Sequence, residues 1–272
     1  MSEEHKNILK WWGQFEVPLD TAAIWQIETL NFAIHHVDKE WQISHRRESE
    51  GGTLPSEVGF SRELFDPLDY TNTTRYIFRK SSPVIEIKPQ LADRTVVTRP
   101  AMPINLAPGE EVTLYVSTPL WVQFDISGKR ESTLDELAIH RPSDTWFGPS
   151  TREGELCYAS QTSGRTNLES LPVRASRAIT PLIIINKALD KLLIERVALP
   201  VPLLSLFATP EGVLWTQSAT LIRDDDGGMA ELKLGKDAPK EAKDAVRINK
   251  ARLQPEKGML VRAFSSIFDK GV

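Results

Sequence analysis

Period-two alternation is the feature that most constrains this chain. It is clearest in "ETLNFAIHHVDKEWQISH", Glu28 to His45. A two-residue turn at Asp38-Lys39 places His36 opposite Trp41, Ile34 opposite Ile43 and Phe32 opposite His45. In that register Leu30, Phe32, Ile34, Trp41 and Ile43 share one face, as a half-buried hairpin requires. The same alternation returns in Val112, Leu114 and Val116. After an expected break at Pro119 it returns again in Leu120, Val122, Phe124 and Ile126. Pro108-Gly109 suits the centre of a type II turn, because Pro fixes φ and Gly accepts positive φ. Leu182 to Ile185 lacks polar alternation and reads as a strand buried on both faces.

Helical spacing is confined to the end of the chain. Leu260, Val261, Phe264, Ile267 and Phe268 fit one helix face, so a short C-terminal amphipathic helix is expected. Residues 241–252 read as helix or edge strand. Residues 47–73, rich in Gly, Pro, Ser and acids, read as a long loop with one helical turn. Residues 128–143 read as a connector with a helical turn. Many short strands with so little helix predict an all-β protein, built as one or two antiparallel β-sandwiches with the C-terminal helix. The 272 residues allow two β domains, 1–130 and 131–272, or one large domain.

Composition removes several function classes. The net charge of −4 offers no chain-wide basic footprint for nucleic acid. One cysteine makes neither an internal disulfide nor a thiolate metal site, and fits a reducing compartment. No basic, apolar leader is visible at the N-terminus, and no apolar run approaches the roughly 20 residues of a membrane helix. The expectation is a cytoplasmic protein without a transmembrane segment and without a cofactor.

Each chemical motif meets a simpler explanation. His35 and His36 point to opposite strand faces, and His36 lies about 13 Å along the ladder from His45, too far for one metal. "RDDDGG", Arg223 to Gly228, lacks the closing Glu of a calcium loop and reads as a hairpin turn. A two-residue turn there pairs Leu221 with Leu232, and a three-residue loop pairs Arg223 with Glu231; both registers stay open. Cys157 has no local base and reads as a small buried hydrophobe. "DTWFGPSTREGELCYAS" reads as a hairpin, with Leu156 and Tyr158 on one face and Cys157 on the other. There is no phosphate loop, serine elbow or zinc helix motif.

Two site candidates remain. Leu260, Val261, Phe264 and Phe268 form a stripe for a protein partner, and Trp121 and Trp146 are aromatics for a sugar or small ligand, with Trp121 turned outward. The leading reading is a non-enzymatic interaction protein with no catalytic or metal residues. A carbohydrate or small-ligand module, or a hydrolase using two facing carboxylates, are the alternatives.

The segments "WWGQFEVPL", "RYIFRKSSPVIEIKPQ", "MPINLAPGEEVTLYVSTPLWVQFDI", "WFGPSTREGELCYAS" and "PLIIINKALDKLLIERVALP" resemble the uncharacterised prokaryotic family catalogued as domain of unknown function four-thirty-two. They cover most of residues 11–222. The resemblance implies an all-β protein with no established activity and no catalytic residues to carry over. It also implies an accessory role beside a membrane channel, a small mechanosensitive one.

Overall fold

The alternating segments become strands. The computed structural model describes residues 10–48, 66, 69–79, 82–126, 132–141, 143–150, 152–224, 228–256 and 258–264. Most of the expected 47–73 loop lies outside these residues, as do Ile267, Phe268 and the tip of the 225–227 turn. The first strands are β1 (Gly13–Glu16), β2 (Thr21–Ile27), β3 (Leu30–Val37), β4 (Glu40–Arg47), β5 (Asn72–Ile77), β6 (Val84–Leu91) and β7 (Val96–Pro100). There follow β8 (Ile104–Leu106), β9 (Glu111–Ile126), β10 (Ser132–Ala138), β11 (Ser143–Phe147), β12 (Glu155–Gly164), β13 (Arg177–Asn186) and β14 (Leu192–Ile194). The last are β15 (Val197–Leu199), β16 (Leu206–Ala208), β17 (Leu214–Thr216), β18 (Ala219–Arg223), β19 (Met229–Leu234), β20 (Val246–Asn249) and β21 (Leu260–Arg262).

The protein is all-β. The largest sheet has 11 strands, in the order β1-β6-β9-β13-β17-β16-β20, with β10 added to β9 and with β18, β19 and β21 leading off β13. Two four-stranded sheets, β2-β3-β4-β5 and β11-β12-β7-β15, and the pair β14-β8 complete it. Not every pairing is antiparallel, as expected from sequence: β7 with β12, and β13 with both β17 and β18, run parallel. Parallel neighbours need long crossovers, which alternation along the chain does not reveal.

Several sequence registers hold. His36 pairs with Trp41, Ile34 with Ile43 and Phe32 with His45. The turn residue Lys39 takes φ 58°. Gly109 takes φ 79°, as the Pro108-Gly109 turn asks. The open choice at "RDDDGG" falls to the two-residue register, with Leu221 opposite Leu232 and Ala219 opposite Leu234. Residues 241–252 contain a strand, β20.

Other expectations are corrected. The C-terminal helix is not formed: Leu260–Arg262 pairs with β19, and Phe264 bridges to Val197. The 128–143 connector contains β10, paired along the C-terminal half of β9. Leu182 and Ile184 are buried, but Ile183 and Ile185 keep partial exposure, so β13 has one drier face.

Strand β9 runs through Pro119 without breaking. Val112 to Val116 and Leu120 to Ile126 share one parity, which a continuous strand preserves. Pro119 marks a change of neighbour instead. Residues 111–119 pair with β13, and residues 120–126 pair with β6. Tyr115 exchanges backbone hydrogen bonds with Arg165, so β9 residues of that parity direct their polar groups away from β13. Pro119 has that parity, and its missing N–H costs the β13 ladder nothing. Pro181, opposite Tyr115, follows the same rule on the other side. It sits in the gap between the β13–β17 pairing at Ile179 and the β13–β18 pairing that starts at Leu182.

The core joins the sheets. Trp25 stacks on Phe32 with centroids 5.1 Å apart, and Phe32 meets Phe124 of β9 edge-on at 5.2 Å. The β2–β5 sheet therefore rests on the large sheet through aromatic contacts. At the centre of the large sheet, the buried hydroxyls of Thr118, Thr180 and Thr216 form a chain across β9, β13 and β17, at 2.7 and 3.0 Å. Its satisfied polar atoms let hydroxyls replace methyl groups in a dry interior.

Candidate functional site

A concavity lies where β21 ends the large sheet. Gly258, at φ 71°, makes the left-handed turn that delivers the chain into β21. Leu232 N–H donates to Met259 O, and Ala263 N–H donates to Gly228 O. By antiparallel alternation, Met259 and Val261 point their polar groups at β19 and Ala263 points its N–H there, while the Ala263 carbonyl accepts from Ala198 N–H at 3.0 Å; Leu260 and Arg262 point theirs away from β19. Those outward groups have no backbone partner among the described residues. Side chains alternate too: Val261 is buried, and Leu260 is 63% exposed.

The open edge faces a groove of about 440 Å³. Met259 to Arg262 line it consecutively, which is how a strand lines a cleft with its edge rather than its face. The opposite wall is the 3-10 turn Val201–Leu203 with Pro200 before it. Leu253 is tied to that wall by its N–H, which donates to Pro202 O at 2.9 Å, yet its residue stays 58% exposed. Thr95, Gly154 and Glu155 close one end. The size falls within the range of ligand clefts, and the lining is mainly apolar, with Glu155 and Arg262 as charges of opposite sign.

The β11–β12 hairpin supplies that end. Phe147 pairs with Glu155 and Thr145 with Cys157, the hairpin expected from the sequence. Its loop is tight. A Cβ on Gly148 would collide with Glu153 O, and one on Gly154 would lie 2.6 Å from Phe147 O. Trp146 lies over Gly154, and its Nε1 donates to Ser150 O at 2.7 Å. Trp146 thus clips its own loop and leaves 42% of its surface exposed beside the groove. Cys157 packs with Val97, Phe147 and Ala198. Burial, then the charge of Glu155, pushes its thiol up to about 12, which favours the protonated form.

Of the sequence candidates, Leu260 and Val261 line the groove and Trp146 borders it. Phe264 is buried at its bridge to Val197, and Phe268 lies outside the described residues. Trp121 is not turned outward as expected. It is 7% exposed, because β12 crosses the outer face of β9 and lays Tyr158 at 5.6 Å from its ring. Among the described residues the groove is lined by one carboxylate, Glu155, without a second one facing it as a carboxylate hydrolase requires. Among the described residues, no group of three or more His, Cys, Asp or Glu is placed to hold a metal.

A second polar centre escaped the sequence reading. Glu28, in the β2–β3 turn, takes φ 50°, an uncommon backbone for glutamate. Its Oε2 accepts from His140 Nε2 at 2.7 Å, and Arg174 lies 4.0 Å away. Ser176 Oγ is 3.1 Å from the same His140 nitrogen, and Thr29 Oγ1 is 3.3 Å from Nδ1. Oε1 of Glu28 is buried without a hydrogen-bond partner. Burial raises the Glu28 carboxyl, but hydrogen bonds from His140 and Ser176 and the charges of His140 and Arg174 outweigh it, and the net shift is downward. Both His140 nitrogens are engaged and Ser176 is fully buried, so this is a clamp between chain segments rather than an exposed nucleophile.

No helix of the described residues is long and apolar enough to cross a membrane. A family model described as a protein of unknown function (DUF432) matches residues 11–269, which takes in every strand from β1 to β21. No curated protein and no solved structure matches the chain.

Proposed function

The chain belongs to the DUF432 family, and from that premise we propose that it is a non-enzymatic, cytoplasmic binding module. Its packed, sandwich-like sheets hold the β21 groove for an extended segment of a partner protein. The observation that carries the reading is the pairing of an open strand edge with an apolar cleft. A strand added beside β21 would exchange hydrogen bonds with Leu260 and Arg262, and alternate side chains would enter the cleft. Leu253 and Leu260 supply exposed apolar contact on the two walls. Glu155 and Arg262 fix direction by favouring a cation near one and an anion near the other. The channel implied by the family resemblance is a partner that could present such a segment.

The test begins with peptides selected from a displayed random library on the folded protein. Hydrogen exchange is then measured with and without the tightest peptide. Strand addition slows exchange at the Leu260 and Arg262 amides. Tight binding that leaves both amides unprotected would sink the proposal, as would a library that yields no peptide sensitive to substitutions in the groove.

A further inference from the structure

The lane along the outer edge of β21 is closed at one end. Val197 of β15 bridges Phe264, and Ala198 N–H donates to Ala263 O at 3.0 Å, so β15 fills that edge just past Arg262. Ala263 and Phe264 both donate to Gly228 O at 3.1 Å, a bulge that separates the filled stretch from the open one. β15 does not continue along β21. Ala198 directs its N–H at this edge, and by alternation Val197 and Leu199 direct their polar groups at β7. The next residues of the Ala198 parity are Pro200 and Pro202, and neither has an N–H to offer. From Pro200 the chain instead enters the 3-10 turn Val201–Leu203, with Leu203 N–H donating to Pro200 O at 3.1 Å. The prolines thus leave the outer edge of Leu260 and Arg262 open, and the lane ends against buried Leu199.

A strand entering this lane comes in beside Met259 and stops at Arg262. An internal segment of a partner would have to turn out of the lane there, whereas a chain terminus simply ends. The charges select which terminus. Arg262 lines the groove at the blind end, is half-buried, and makes no salt bridge among the described residues. Glu231, opposite Leu260 on β19, is engaged by Lys233 at 3.3 Å. Glu155 stands toward the mouth: Val96 pairs with both Leu199 and Tyr158, and traced back from Tyr158 to Glu155, β12 follows the direction in which β15 leaves. A terminal ammonium at the blind end would meet the like charge of Arg262. A terminal carboxylate is attracted there, and its two oxygens match the paired donors of a guanidinium.

We propose that the groove takes the free C-terminus of a partner protein, running parallel to β21 with its carboxylate at Arg262. This rests on the strand-addition reading above and adds which end of the partner binds and in which direction. Two random peptide libraries are selected on the full chain, one displayed with a free C-terminus and one followed by a fixed hydrophilic tail. The free-ended library should yield the tight binders, and these should slow hydrogen exchange at the Leu260 and Arg262 amides. The tightest peptide is then made as the C-terminal acid and as the amide. The amide should bind about tenfold more weakly. Arg262→Gln should abolish that difference and Arg262→Lys should retain part of it, with unfolding temperatures showing that both variants fold. A spin label on the N-terminal end of the peptide should broaden the Glu155 amide signal more than that of Arg262. Equal affinity of acid and amide, an acid preference unchanged in Arg262→Gln, or the reverse order of broadening overturns the inference. Tailed peptides that bind as tightly as free-ended ones and protect the Leu260 and Arg262 amides also overturn it, while strand addition itself survives. Binders from neither library protecting those amides would remove strand addition, and this inference with it.

Discussion

Leu260→Ala separates binding from folding more cleanly than any other change at the groove. Full burial of a leucine side chain is worth about 1.5–3 kcal/mol. Leu260 is 63% exposed, so a partner that covers it gains roughly 1–2 kcal/mol from that side chain. Truncation to alanine should therefore weaken a selected peptide about 5- to 30-fold. The folded protein loses little, because the exposed part contributes nothing to its own core. A change within about 0.5 kcal/mol is expected, or about 1–2 °C in unfolding temperature. Leu253, 58% exposed on the opposite wall, should behave alike, and the two losses should add. Leu189 is 99% exposed and is not among the groove residues, so Leu189→Ala is the control for nonspecific stickiness. Fluorescence anisotropy with a labelled peptide measures the affinities, and calorimetry measures stability. The reasoning fails if Leu189→Ala weakens binding as much as Leu260→Ala. It also fails if Leu260→Ala lowers the unfolding temperature by more than a few degrees.

Three further outcomes follow from buried chemistry. Cys157, with its thiol raised to about 12, should resist thiol reagents at pH 8 until the protein unfolds; stoichiometric labelling of the native protein within minutes would contradict its burial. The carboxyl of Glu28 titrates below its ordinary value, so its contribution to stability is complete above about pH 4.5 and is lost as pH falls through the folded value. Urea unfolding of Glu28→Gln should accordingly show a weaker loss of stability on acidification than the native sequence. Thr180→Val leaves the Thr118 hydroxyl without its partner while Thr216 keeps Gln217 O at 2.9 Å, a cost of about 1–3 kcal/mol. The double change Thr118→Val with Thr180→Val should then be less destabilising than Thr180→Val alone, and simple additivity in denaturant titrations would refute the hydroxyl chain.

What the sequence revealed follows from the range of the physics involved. Adjacent strands joined by a tight turn carry their register in a few consecutive residues, so β3–β4, β11–β12 and β18–β19 were readable. Pro119 and Pro181 were less so. Each has a missing N–H that matters only if a neighbouring strand needs it, and the neighbours β13, β17 and β18 are far away in sequence. Trp121 had the parity of an outward residue, yet it is buried, with Tyr158 of β12 against its ring. The second layer of strands that covers it was invisible from β9 alone.

The C-terminal stripe carries the deepest lesson. Leu260 and Val261 were chosen because they fit a helix face, and they do line the groove, but as a strand. Three residues are too few for periodicity to separate the two. The unpaired edge of β19 decides, since pairing satisfies backbone groups that a short isolated helix would leave exposed. The change of element reverses the role of the segment. A helix would present Leu260, Val261 and Phe264 together as a ridge for insertion into a partner. The strand turns Val261 inward, spends Phe264 on its bridge to Val197, and leaves Leu260 outside. It also exposes backbone donors and acceptors at Leu260 and Arg262, which no pattern of side chains announces. The partner therefore has to supply the inserting segment, and this chain supplies the cleft.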